Sequence, residues 1–272
     1  MKTSVIITVY NRPEMIIACL RALALNTSRV DEAIVSDDGS EEQCVRTMRN
    51  AFGELPFPVR YVRQEHSGYR LAAARNNAIR AASGDYLISI DCDILLLPET
   101  VETHLRHARQ GYFLVGNRAM LGENNTKQTF AQNISKRFLE TLWDEAGKNH
   151  LSKIQGRFQR NFFLRRLGLA APHKPKILGC HFSLFREDIK RVNGFDEKFT
   201  GWGLEDDDFA RRLYKAGISG HSVILEARAL HLWHPSVGSK PQSISESPNM
   251  AYFKRANVPQ YCADGLSKIS AS

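Results

Sequence analysis

The first 95 residues alternate stretches of strand length with stretches of helical character, and this order limits the possible fold more than any other feature of the chain. The predicted strands occupy residues 4–10, 33–36, 59–64 and 86–90. The predicted helices occupy residues 13–25 and 70–82, which carry apolar side chains at helical spacing or good helix formers. Strands connected in this way by helices predict an α/β fold, with a mostly parallel sheet covered on both faces.

The first predicted helix has two start signals. Asn11 and Glu14 have the spacing of a capping box. Pro13 suits the first turn of a helix. We therefore expect the Asn11 side chain to cap this helix.

Polar residues follow three of the predicted strands directly. They are residues 8–12 at the end of the first strand, Asp37 and Asp38 after the second, and Asp91 and Asp93 after the fourth. In open parallel sheets, ligands bind in the crevice outside the carboxyl ends of the strands. We therefore expect these side chains to converge on one crevice, although they lie far apart in the sequence.

The second half of the chain is less regular. It contains a predicted strand at 177–185, a predicted helix at 209–217, and a predicted strand at 223–233 that leads to His231 and His234. From Pro235 onward serine, proline and glycine are frequent, which predicts a loop and a loosely held tail.

Residues 153–169 combine five Lys or Arg side chains with three phenylalanines in a basic amphipathic pattern. One interpretation is a helix whose Lys and Arg stems cover the core while their charged ends stay in water. The other is an interfacial helix that contacts an anionic membrane. The pattern alone leaves both interpretations open.

An excess of positive charge bears on the class of partner. Lys and Arg number 37 against 29 Asp and Glu, a formal net charge of +8. This balance favours polyanionic partners such as nucleic acid, an anionic membrane or phosphorylated substrates.

Two further features of the composition bear on the compartment. No stretch approaches the roughly 20 apolar residues of a membrane span, and the first apolar run is too short for a signal peptide, so we expect a cytoplasmic protein. The five cysteines have no C-x-x-C pair and predict reduced thiols rather than a disulfide framework or a zinc ribbon.

Asp91 and Asp93 follow an apolar strand and are separated by one residue, so their carboxylates can diverge at the edge of the sheet. One could then approach a ribose, and the other a hard cation such as Mn²⁺ or Mg²⁺. A structural alternative is that both cap the loop before Pro98. Their position after a predicted buried strand favours the functional interpretation.

His231 and His234 form a second candidate group. Their spacing lacks the helical H-E-x-x-H pattern of zinc proteases, and a lone histidine is usually a surface or core residue. Together with aspartates from elsewhere, however, they could form a mixed oxygen and imidazole site. Such a site suits Mn²⁺ better than a structural zinc ion.

Four acidic residues, 205–208, follow a tryptophan bracketed by glycines in the stretch GWGLEDDDF. At the start of a helix each acid would be stabilised by the helix dipole, by about 0.3 to 1 kcal/mol, so a structural role is available. Trp202 on a glycine loop beside carboxylates is also a combination with which proteins hold sugars. A buried, structural Trp202 is the alternative.

The order of these segments resembles a known family. Similarity to the inverting family 2 glycosyltransferases of the GT-A fold rests on SVIITVYNRPE, IVSDDGS, RLAAARNNAIRAASGDYLISIDCD and VNGFDEKFTGWGLEDDDFARRL. The last stretch, with HLWH after it, is similar to the C-terminal segment of β-1,4-galactosyltransferases and bacterial chondroitin polymerase modules. The resemblance covers roughly residues 4–112 and 177–240.

The resemblance implies one GT-A domain with two functional halves. Residues 1–115 would bind the nucleotide sugar, residues 116–240 would bind the acceptor and carry the catalytic base, and residues 241–272 would form a loop or tail. The smaller acceptor-binding region would adjoin a Rossmann-like, mostly parallel sheet.

The resemblance also implies roles for individual residues of the donor site. The nucleotide would contact Thr8, Tyr10, Arg12, Asp38, Arg70, Arg75 and Asp91. Asp38 would lie at the uracil, Asp91 at the ribose and Arg70 at the diphosphate, with Arg75 as a second candidate there. Asp93, His234 and His231 would hold a divalent metal, Mn²⁺ or Mg²⁺. His231 stands where the galactosyltransferases have a methionine, so this site should accept Mg²⁺ more readily than theirs.

Asp206 matches the general base of the family. The sugars would be held by Trp202, Glu205, Asp207 and His181, while Asp208 would only stabilise the start of the helix. Leu204 and His181 depart from the galactosyltransferase pattern, which leaves the identity of the sugars open.

The implied activity is inverting, metal-dependent transfer of a hexose or N-acetylhexosamine from a UDP-sugar to a hydroxyl of a glycan or glycolipid acceptor, such as lipopolysaccharide or capsule. Peripheral contact with the anionic inner face of the cytoplasmic membrane is a further expectation. Nucleotidyltransferases and dinucleotide oxidoreductases would need a glycine-rich loop after the first strand, where TVYNRPEM has no glycine.

The alternative from another class is a basic protein that binds membrane or nucleic acid and has a non-catalytic GT-A-like fold. Asp38, Asp93 and Asp206, if they converged, would repel phosphates unless a metal intervened. We therefore expect no nucleic-acid partner.

Overall fold

A computed structural model describes residues 1–235 and 243–268. The strands are β1 (Thr3–Val9), β2 (Glu32–Asp37), β3 (Val59–Arg63), β4 (Tyr86–Asp91), β5 (Ile94–Leu96), β6 (Tyr112–Val115), β7 (Ala119–Met120), β8 (His181–Phe185), β9 (Ser219–Ser222) and β10 (Ala229–His231). The helices are α1 (Pro13–Leu23), α2 (Glu42–Phe52), α3 (Leu71–Ala81), α4 (Thr100–His107), α5 (Glu123–Ala131), α6 (Lys136–Glu145), α7 (Asn149–Arg166), α8 (Arg186–Lys190), α9 (Glu205–Lys215) and α10 (Met250–Phe253), with a 3₁₀ turn at Ile244–Glu246.

Within the described residues, seven strands form one sheet in the order β3-β2-β1-β4-β8-β6-β9. Strands β3, β2, β1 and β4 are parallel, β8 runs antiparallel between β4 and β6, and β9 is parallel to β6. The carboxyl ends of β1, β2, β4 and β6 therefore lie at one edge of the sheet. This arrangement confirms the predicted α/β class with a mostly parallel sheet.

Both faces of the sheet are buried, because alternate residues of a strand point to opposite faces. On one face Val5 and Ile7 of β1 pack with helix α1 through residues such as Ile16 and Leu20. On the other face Ile6 packs in a second cluster that includes residues from α3 and α9. The two clusters hold the strand ends, and the loops that follow them, in fixed positions.

A second sheet has the order β5-β10-β7 in the described chain. Strand β10 is antiparallel to β5, with His231 opposite Ile94, and parallel to β7. This pairing brings the end of β10 next to the turn that joins β4 to β5. The sequence predicted one strand over 223–233, but a turn precedes β10 and only Ala229–His231 form a strand there.

The start of helix α1 differs from the prediction. Its N-cap is Arg12, and no side chain caps it. Asn11 has a φ of 49°, and its side chain accepts a hydrogen bond from the Glu41 backbone at 2.8 Å. The predicted capping box is therefore wrong, because Asn11 ties the turn after β1 to the start of α2.

Strands from both predicted halves join the same large sheet, since β8 lies between β4 and β6. The functional division at residue 115 stays a prediction. Of the predicted tail, residues 236–242 and 269–272 lie outside the described residues. The described part, 243–268, is docked rather than loosely held: Asn193 donates to the Cys262 and Ser267 carbonyls at 2.7 and 2.8 Å.

Candidate active site

One crevice collects polar residues at the carboxyl edge of the large sheet. Its volume is about 500 Å³, a size typical of small-molecule sites. Its walls include Thr8, Tyr10, Arg12, Asp38, Asp91, Asp93, Trp202, His231 and His234. The expected convergence of the strand ends therefore occurs.

Asp93, His231 and His234 form a cluster at one end of β10. Asp93 lies in the turn between β4 and β5, where its carbonyl accepts a hydrogen bond from the Leu232 backbone at 2.9 Å. The Nε2 atoms of His234 and His231 lie 3.1 and 3.8 Å from Asp93 Oδ2. One ligand atom from each of the three residues can be chosen so that all lie within 4.8 Å of one another.

The pKa values of the three residues of this cluster are shifted in different directions. Burial raises the pKa of Asp93, but the hydrogen bond from His234 and the nearby positive charges outweigh it, so this pKa lies below its usual range. Burial, with the charge of Arg118, lowers the pKa of His231 against the attraction of Asp93 and favours the neutral imidazole. The hydrogen bond with Asp93 raises the pKa of His234.

Two buried atoms of the cluster, Asp93 Oδ1 and His231 Nδ1, have no hydrogen-bond partner among the described residues. Buried polar atoms are usually paired, so each unpaired one needs an explanation. One carboxylate and two imidazoles form a mixed donor set that suits a divalent ion such as Mn²⁺. The residues therefore fit the metal that the sequence predicted.

Arg12 lies beside the cluster of Asp93, His231 and His234. Its Nη1 is 3.6 Å from Asp93 Oδ2, and its Nη2 is 3.2 Å from Nδ1 of His234. Since Arg12 also lines the crevice, its guanidinium supplies positive charge next to the cluster.

Tyr10 and Asp38 mark another part of the crevice. The Tyr10 ring stacks on His66, with ring centroids 4.2 Å apart. The Asp38 carboxylate accepts hydrogen bonds from Gln64 Nε2 at 2.5 Å and from the Arg70 backbone at 3.2 Å. Only the backbone of Arg70 takes part here, since its guanidinium donates to the Glu65 carbonyl.

Arg75 lies beneath the crevice surface. It is 2% exposed, and its guanidinium joins Glu205 at 3.0 Å to Asp91 at 3.4 Å. A side chain at Gly179 would place a Cβ 2.6 Å from Arg75 Nη2, so it would force the buried guanidinium to move. The prediction that Arg75 meets the diphosphate does not agree with this placement, because the guanidinium is buried between two carboxylates.

The four acids of GWGLEDDDF have four different environments. Glu205 pairs with Arg75, and Asp207 pairs with Lys176 at 2.5 Å. Burial and the charge of Asp206 raise the pKa of Glu205 to about 7 and that of Asp207 to about 6. Residues 205–207 are not part of the crevice wall described above. Glu205 is connected to that wall through Arg75, which also pairs with Asp91.

Asp208 is completely buried in a network of arginines. It lies 2.8 Å from Arg211, 2.7 Å from Arg212 and 3.0 Å from Arg255. It was expected only to stabilise the helix start, but it joins α9 to the C-terminal segment through Arg255.

Asp206 differs from its neighbours in its partners. Its oxygens accept hydrogen bonds from the backbone N–H groups of Asp207 at 2.8 Å and Gly179 at 3.3 Å. The side chain is partly exposed, and among the described residues it forms no ion pair. Within the described chain, Asp206 is therefore the acid of this group that is partly exposed and has no Lys or Arg side chain paired with it.

The Trp202 loop is held by the C-terminal segment. Ser247 Oγ donates to the Trp202 carbonyl at 2.8 Å, and Asn249 Nδ2 donates to the Gly203 carbonyl at 2.8 Å. Leu204 has a φ of 75°, a conformation that favours glycine. Leu204 adopts it at the N-cap of α9 with its side chain buried.

His181 lies in the interior rather than in the crevice wall. Its ring is 0% exposed; Nδ1 is 2.9 Å from the Asn117 carbonyl and Nε2 is 2.8 Å from Nε2 of His104. His104 Nδ1 in turn contacts Ser183 Oγ at 2.7 Å. The expectation that His181 holds a sugar is corrected by this position, since the ring is enclosed in a buried hydrogen-bonded chain.

Three residues near the site were not predicted. Arg118 and Tyr69 line the crevice, and Lys176 pairs with Asp207. The strand-end rule could have found Arg118, since β6 ends at the same edge three residues earlier, but residues 112–115 were not recognised as a strand.

Comparison with known proteins identifies two matching family models. The model described as "Glycosyl transferase family 2" matches residues 4–191. The model described as "N-terminal domain of galactosyltransferase" matches residues 170–234. A chondroitin synthase of Escherichia coli is 30% identical over 233 residues, which cover 81% of this chain and 33% of the synthase. This chain therefore spans about a third of that relative's length.

Solved structures show the same fold. A mannosyltransferase from Pyrobaculum calidifontis, solved with GDP-Man and Mn²⁺, has a TM-score of 0.61 at 18% identity and covers 88% of this chain and 58% of its own. A 1–349 fragment of S. aureus TarS in complex with UDP-GlcNAc has a TM-score of 0.56 at 16% identity, over 87% of this chain and 60% of its own. At these identities the likeness concerns the fold, and it confirms the predicted GT-A class.

Proposed function

The chain belongs to glycosyl transferase family 2, and on this premise we propose that it is an inverting, metal-dependent glycosyltransferase that uses a UDP-sugar. It would move a hexose or N-acetylhexosamine to a hydroxyl of a glycan acceptor, such as lipopolysaccharide or capsule. The observation that carries the proposal is the cluster of Asp93, His231 and His234, with two buried unpaired atoms, in the wall of a crevice of about 500 Å³. The donors bound by the two solved neighbours, GDP-Man and UDP-GlcNAc, support a nucleotide sugar.

Asp93, His231 and His234 would hold Mn²⁺ or Mg²⁺. When bound there, the metal would supply positive charge for the leaving diphosphate. Arg12, within 3.6 Å of Asp93, would add a fixed cation on the same side. Thr8, Tyr10, Asp38 and Asp91 would bind the nucleoside along the crevice wall.

Asp206 is the proposed general base. It would take the proton from the acceptor hydroxyl while the oxygen attacks the anomeric carbon opposite the leaving group, which inverts the configuration. Its neighbours are less suited to this role, because Asp207 and Asp208 are paired with Lys or Arg side chains and Glu205 with Arg75. Trp202, Glu205 and Asp207 would position the sugars around the base.

Contact with an anionic membrane is part of the proposal. Across the described ranges, none of the helices has both the length and the apolar character required to traverse a bilayer. The end of α7 and the turn after it instead expose Phe163, Leu167 and Leu169, at 61%, 55% and 70%. Exposed Arg160 and Arg166 lie on the same stretch, a combination suited to an interfacial segment.

Thermal unfolding with UDP tests the proposal. At UDP concentrations about 100 times its dissociation constant, binding stabilises the folded state by about 2.7 kcal/mol, so the melting temperature should rise by about 5 to 10 °C when Mn²⁺ is present. UDP without the metal should give a much smaller shift. An oligonucleotide serves as the control polyanion and should give none.

Two variants make the test specific. Asp93→Asn should lose the metal-dependent part of the shift, whereas Asp144→Asn, which removes an exposed carboxylate on α6, should keep it. Equal shifts with and without Mn²⁺, or a full shift in Asp93→Asn, would contradict the metal assignment. Stabilisation by the oligonucleotide alone would contradict the nucleotide-sugar assignment.

A further inference from the structure

The loop that carries Trp202, residues 201–204, has a backbone conformation that needs support from outside the loop. Gly201, Gly203 and Leu204 have φ angles of 77°, 92° and 75°, and Leu204 is the residue for which this left-handed region is unfavourable. A residue with a side chain keeps such a conformation only where the surrounding structure holds it. The position of Trp202 in the crevice wall therefore depends on the contacts of this loop with other parts of the chain.

Two side chains near the C-terminus orient this loop. Ser247 Oγ donates a hydrogen bond to the Trp202 carbonyl at 2.8 Å. Asn249 Nδ2 donates to the Gly203 carbonyl, also at 2.8 Å, and the Asn249 backbone N–H donates to Ser247 Oγ at 3.3 Å. Both side chains are buried, so water has little access to these bonds. Two successive peptide groups of the Trp202 loop are therefore held from the C-terminal segment.

The same stretch of chain, residues 247–255, also holds helix α9. Arg255 Nη2 lies 3.0 Å from Asp208 Oδ1, and Arg211 donates to the Phe253 carbonyl at 3.0 Å. Helix α9 also carries Asp206, the proposed base. Residues 247–255 therefore contact both the loop that carries the indole and the helix that carries the base, so they help to fix the position of one relative to the other.

Residues 247–255 lie outside the region of family likeness. The two family models match residues 4–191 and 170–234, and none of the site residues implied by the resemblance lies beyond His234. The likeness therefore assigns no role to residues 247–255. Their part in the site follows only from the contacts described above.

Trp202 shares the crevice wall with Tyr10, Asp91 and Asp93, which the proposed function assigns to the nucleoside and the metal. The sugar of a donor bound there would lie in the same crevice. An indole presents a flat apolar surface, which suits the apolar face of a sugar ring. A ring that is held at one angle in advance loses less entropy when the ligand binds.

We infer that Ser247 and Asn249 are positioning residues for the donor sugar: they orient Trp202 so that its ring packs against that sugar. The inference rests on the proposed function and deepens it, because part of the discrimination among UDP-sugars then lies in a segment outside the family likeness. Each side chain acts through the backbone of the Trp202 loop. Binding of the nucleotide at the strand ends does not depend on them.

Fluorine NMR of the full chain labelled with 5-fluorotryptophan tests the positioning step directly. The chain has three tryptophans, and the Trp202 resonance is the one absent from Trp202→Phe. Ser247→Ala and Asn249→Ala should each shift and broaden this resonance, because the ring loses its fixed surroundings, while the resonance of Trp143 on α6 should stay unchanged. Ser247→Thr retains the hydroxyl and should restore the wild-type signal.

Calorimetric titration in the presence of Mn²⁺ tests the consequence for the sugar. The probes are UDP and its conjugates with glucose, galactose, N-acetylglucosamine and N-acetylgalactosamine, and the comparison uses the UDP-sugar that the wild type binds most tightly. Asn249→Ala should weaken binding of that UDP-sugar about three- to tenfold, the value of about one well-placed contact. Binding of UDP should not change, which also shows that the variant is folded.

Tyr252→Phe is the matched control for both measurements. It removes one hydrogen bond of the same segment, from Tyr252 to Asp196 at 2.8 Å, and should change neither the Trp202 resonance nor the affinity for the UDP-sugar. Equal results for Asn249→Ala and Tyr252→Phe in either measurement would overturn the inference. Equal weakening of UDP and the UDP-sugar would also overturn it, since Asn249 would then support the fold rather than the sugar.

The melting shift with UDP and Mn²⁺ separates this result from that for the proposed function. If the wild type shows the shift and Asn249→Ala shows no sugar-dependent loss, the positioning role is wrong and the transferase proposal stands. If the wild type shows no shift, the transferase proposal fails and the donor-sugar role fails with it.

Discussion

The two groups of acids in the site are positioned in different ways. The strand-end group (Asp38, Asp91 and Asp93) follows strands of one sheet, so the backbone alone brings its members to one edge. The helix-start group (residues 205–208) lies on a single turn of α9, and its members differ because of partners from elsewhere in the chain. The positions of the strand ends therefore determine which acids of the first group meet, whereas ion-pair partners determine how the acids of the second group differ.

Asp206→Asn should give the largest effect, on catalysis. Loss of a positioned general base typically lowers the rate by about 10²- to 10⁴-fold. Stability should change little, because removing the Asp206 charge also relieves the repulsion that, after burial, raises the pKa values of Glu205 and Asp207. The measurement is sugar transfer under saturating donor, beside urea unfolding of the same preparation.

The UDP and Mn²⁺ melting shift is the control for Asp206→Asn and should equal that of the wild type. Transfer at more than about a tenth of the wild-type rate, with the donor bound, would be too much for a variant that lacks the base. Asp206 would then not be the general base, and its lack of an ion-pair partner would not distinguish its function from that of the other three acids.

Asp208→Asn should give the opposite result, a large loss of stability. Asp208 is 0% exposed and neutralises Arg211, Arg212 and Arg255. Removing one partner of a buried pair costs about 3 to 5 kcal/mol, because the remaining charges stay buried without compensation. Urea unfolding should therefore separate this variant clearly from Asp206→Asn, two residues away.

A loss below about 1 kcal/mol for Asp208→Asn would mean that the arginines find other partners. The expected difference in stability between the Asp208 and Asp206 variants would then be absent. Arg255→Gln is a useful second variant, since it leaves Asp208 paired with Arg211 and Arg212, although it also removes the ion pair with Asp196, and it should cost less.

The strand-end group could be predicted from the sequence, because apolar periodicity locates strands and parallel strands end at a common edge. The contact between Asp93 and His231 could not be predicted in the same way. It depends on the β5–β10 pairing, and the sequence indicated a single long strand at 223–233 where only Ala229–His231 pair.

The helix-start group shows the limit of local patterns more clearly. Asp208 has the same local surroundings in the sequence as Asp206. Only the fold brings Arg255 to Asp208 and Gly179 to Asp206. The resemblance offered Arg75 as a second candidate beside Arg70 for the diphosphate, yet Arg75 is buried and pairs with Glu205, 130 residues away. Long-range ion pairs of this kind leave no short-range signal in a single sequence.

His181 begins β8, which pairs with β4 and follows the loop that carries Lys176. Burial lowers the pKa of His181 to about 4, against 6.5 for the free group. The folded state therefore binds fewer protons than the unfolded state between these values, and stability present near pH 7 is lost as the pH falls from 6.5 toward 4. Between pH 7 and pH 5 this amounts to about 2 kcal/mol.

Urea unfolding at pH 7 and pH 5 measures this dependence. His181→Asn should be less sensitive to acid by about 2 kcal/mol, although its stability at pH 7 is lower because His104 loses its partner. An unchanged dependence in His181→Asn would mean that burial does not lower the pKa of this ring.

The smallest expected effect concerns the cations of α7, which divide in the same way as the acids. Arg165 is used inside the molecule, on the carbonyls of residues 171, 172 and 174, whereas Arg160 and Arg166 are exposed near Phe163. Each exposed charge should contribute about 1 kcal/mol to partition onto anionic vesicles, so Arg160→Gln and Arg166→Gln should each lower it about fivefold. Sedimentation with phosphatidylglycerol vesicles measures this, with Lys136→Gln on α6 as the matched control. If both arginine variants partition like the control, α7 does not contact a membrane, and its exposed cations are solvated like those of an ordinary surface helix.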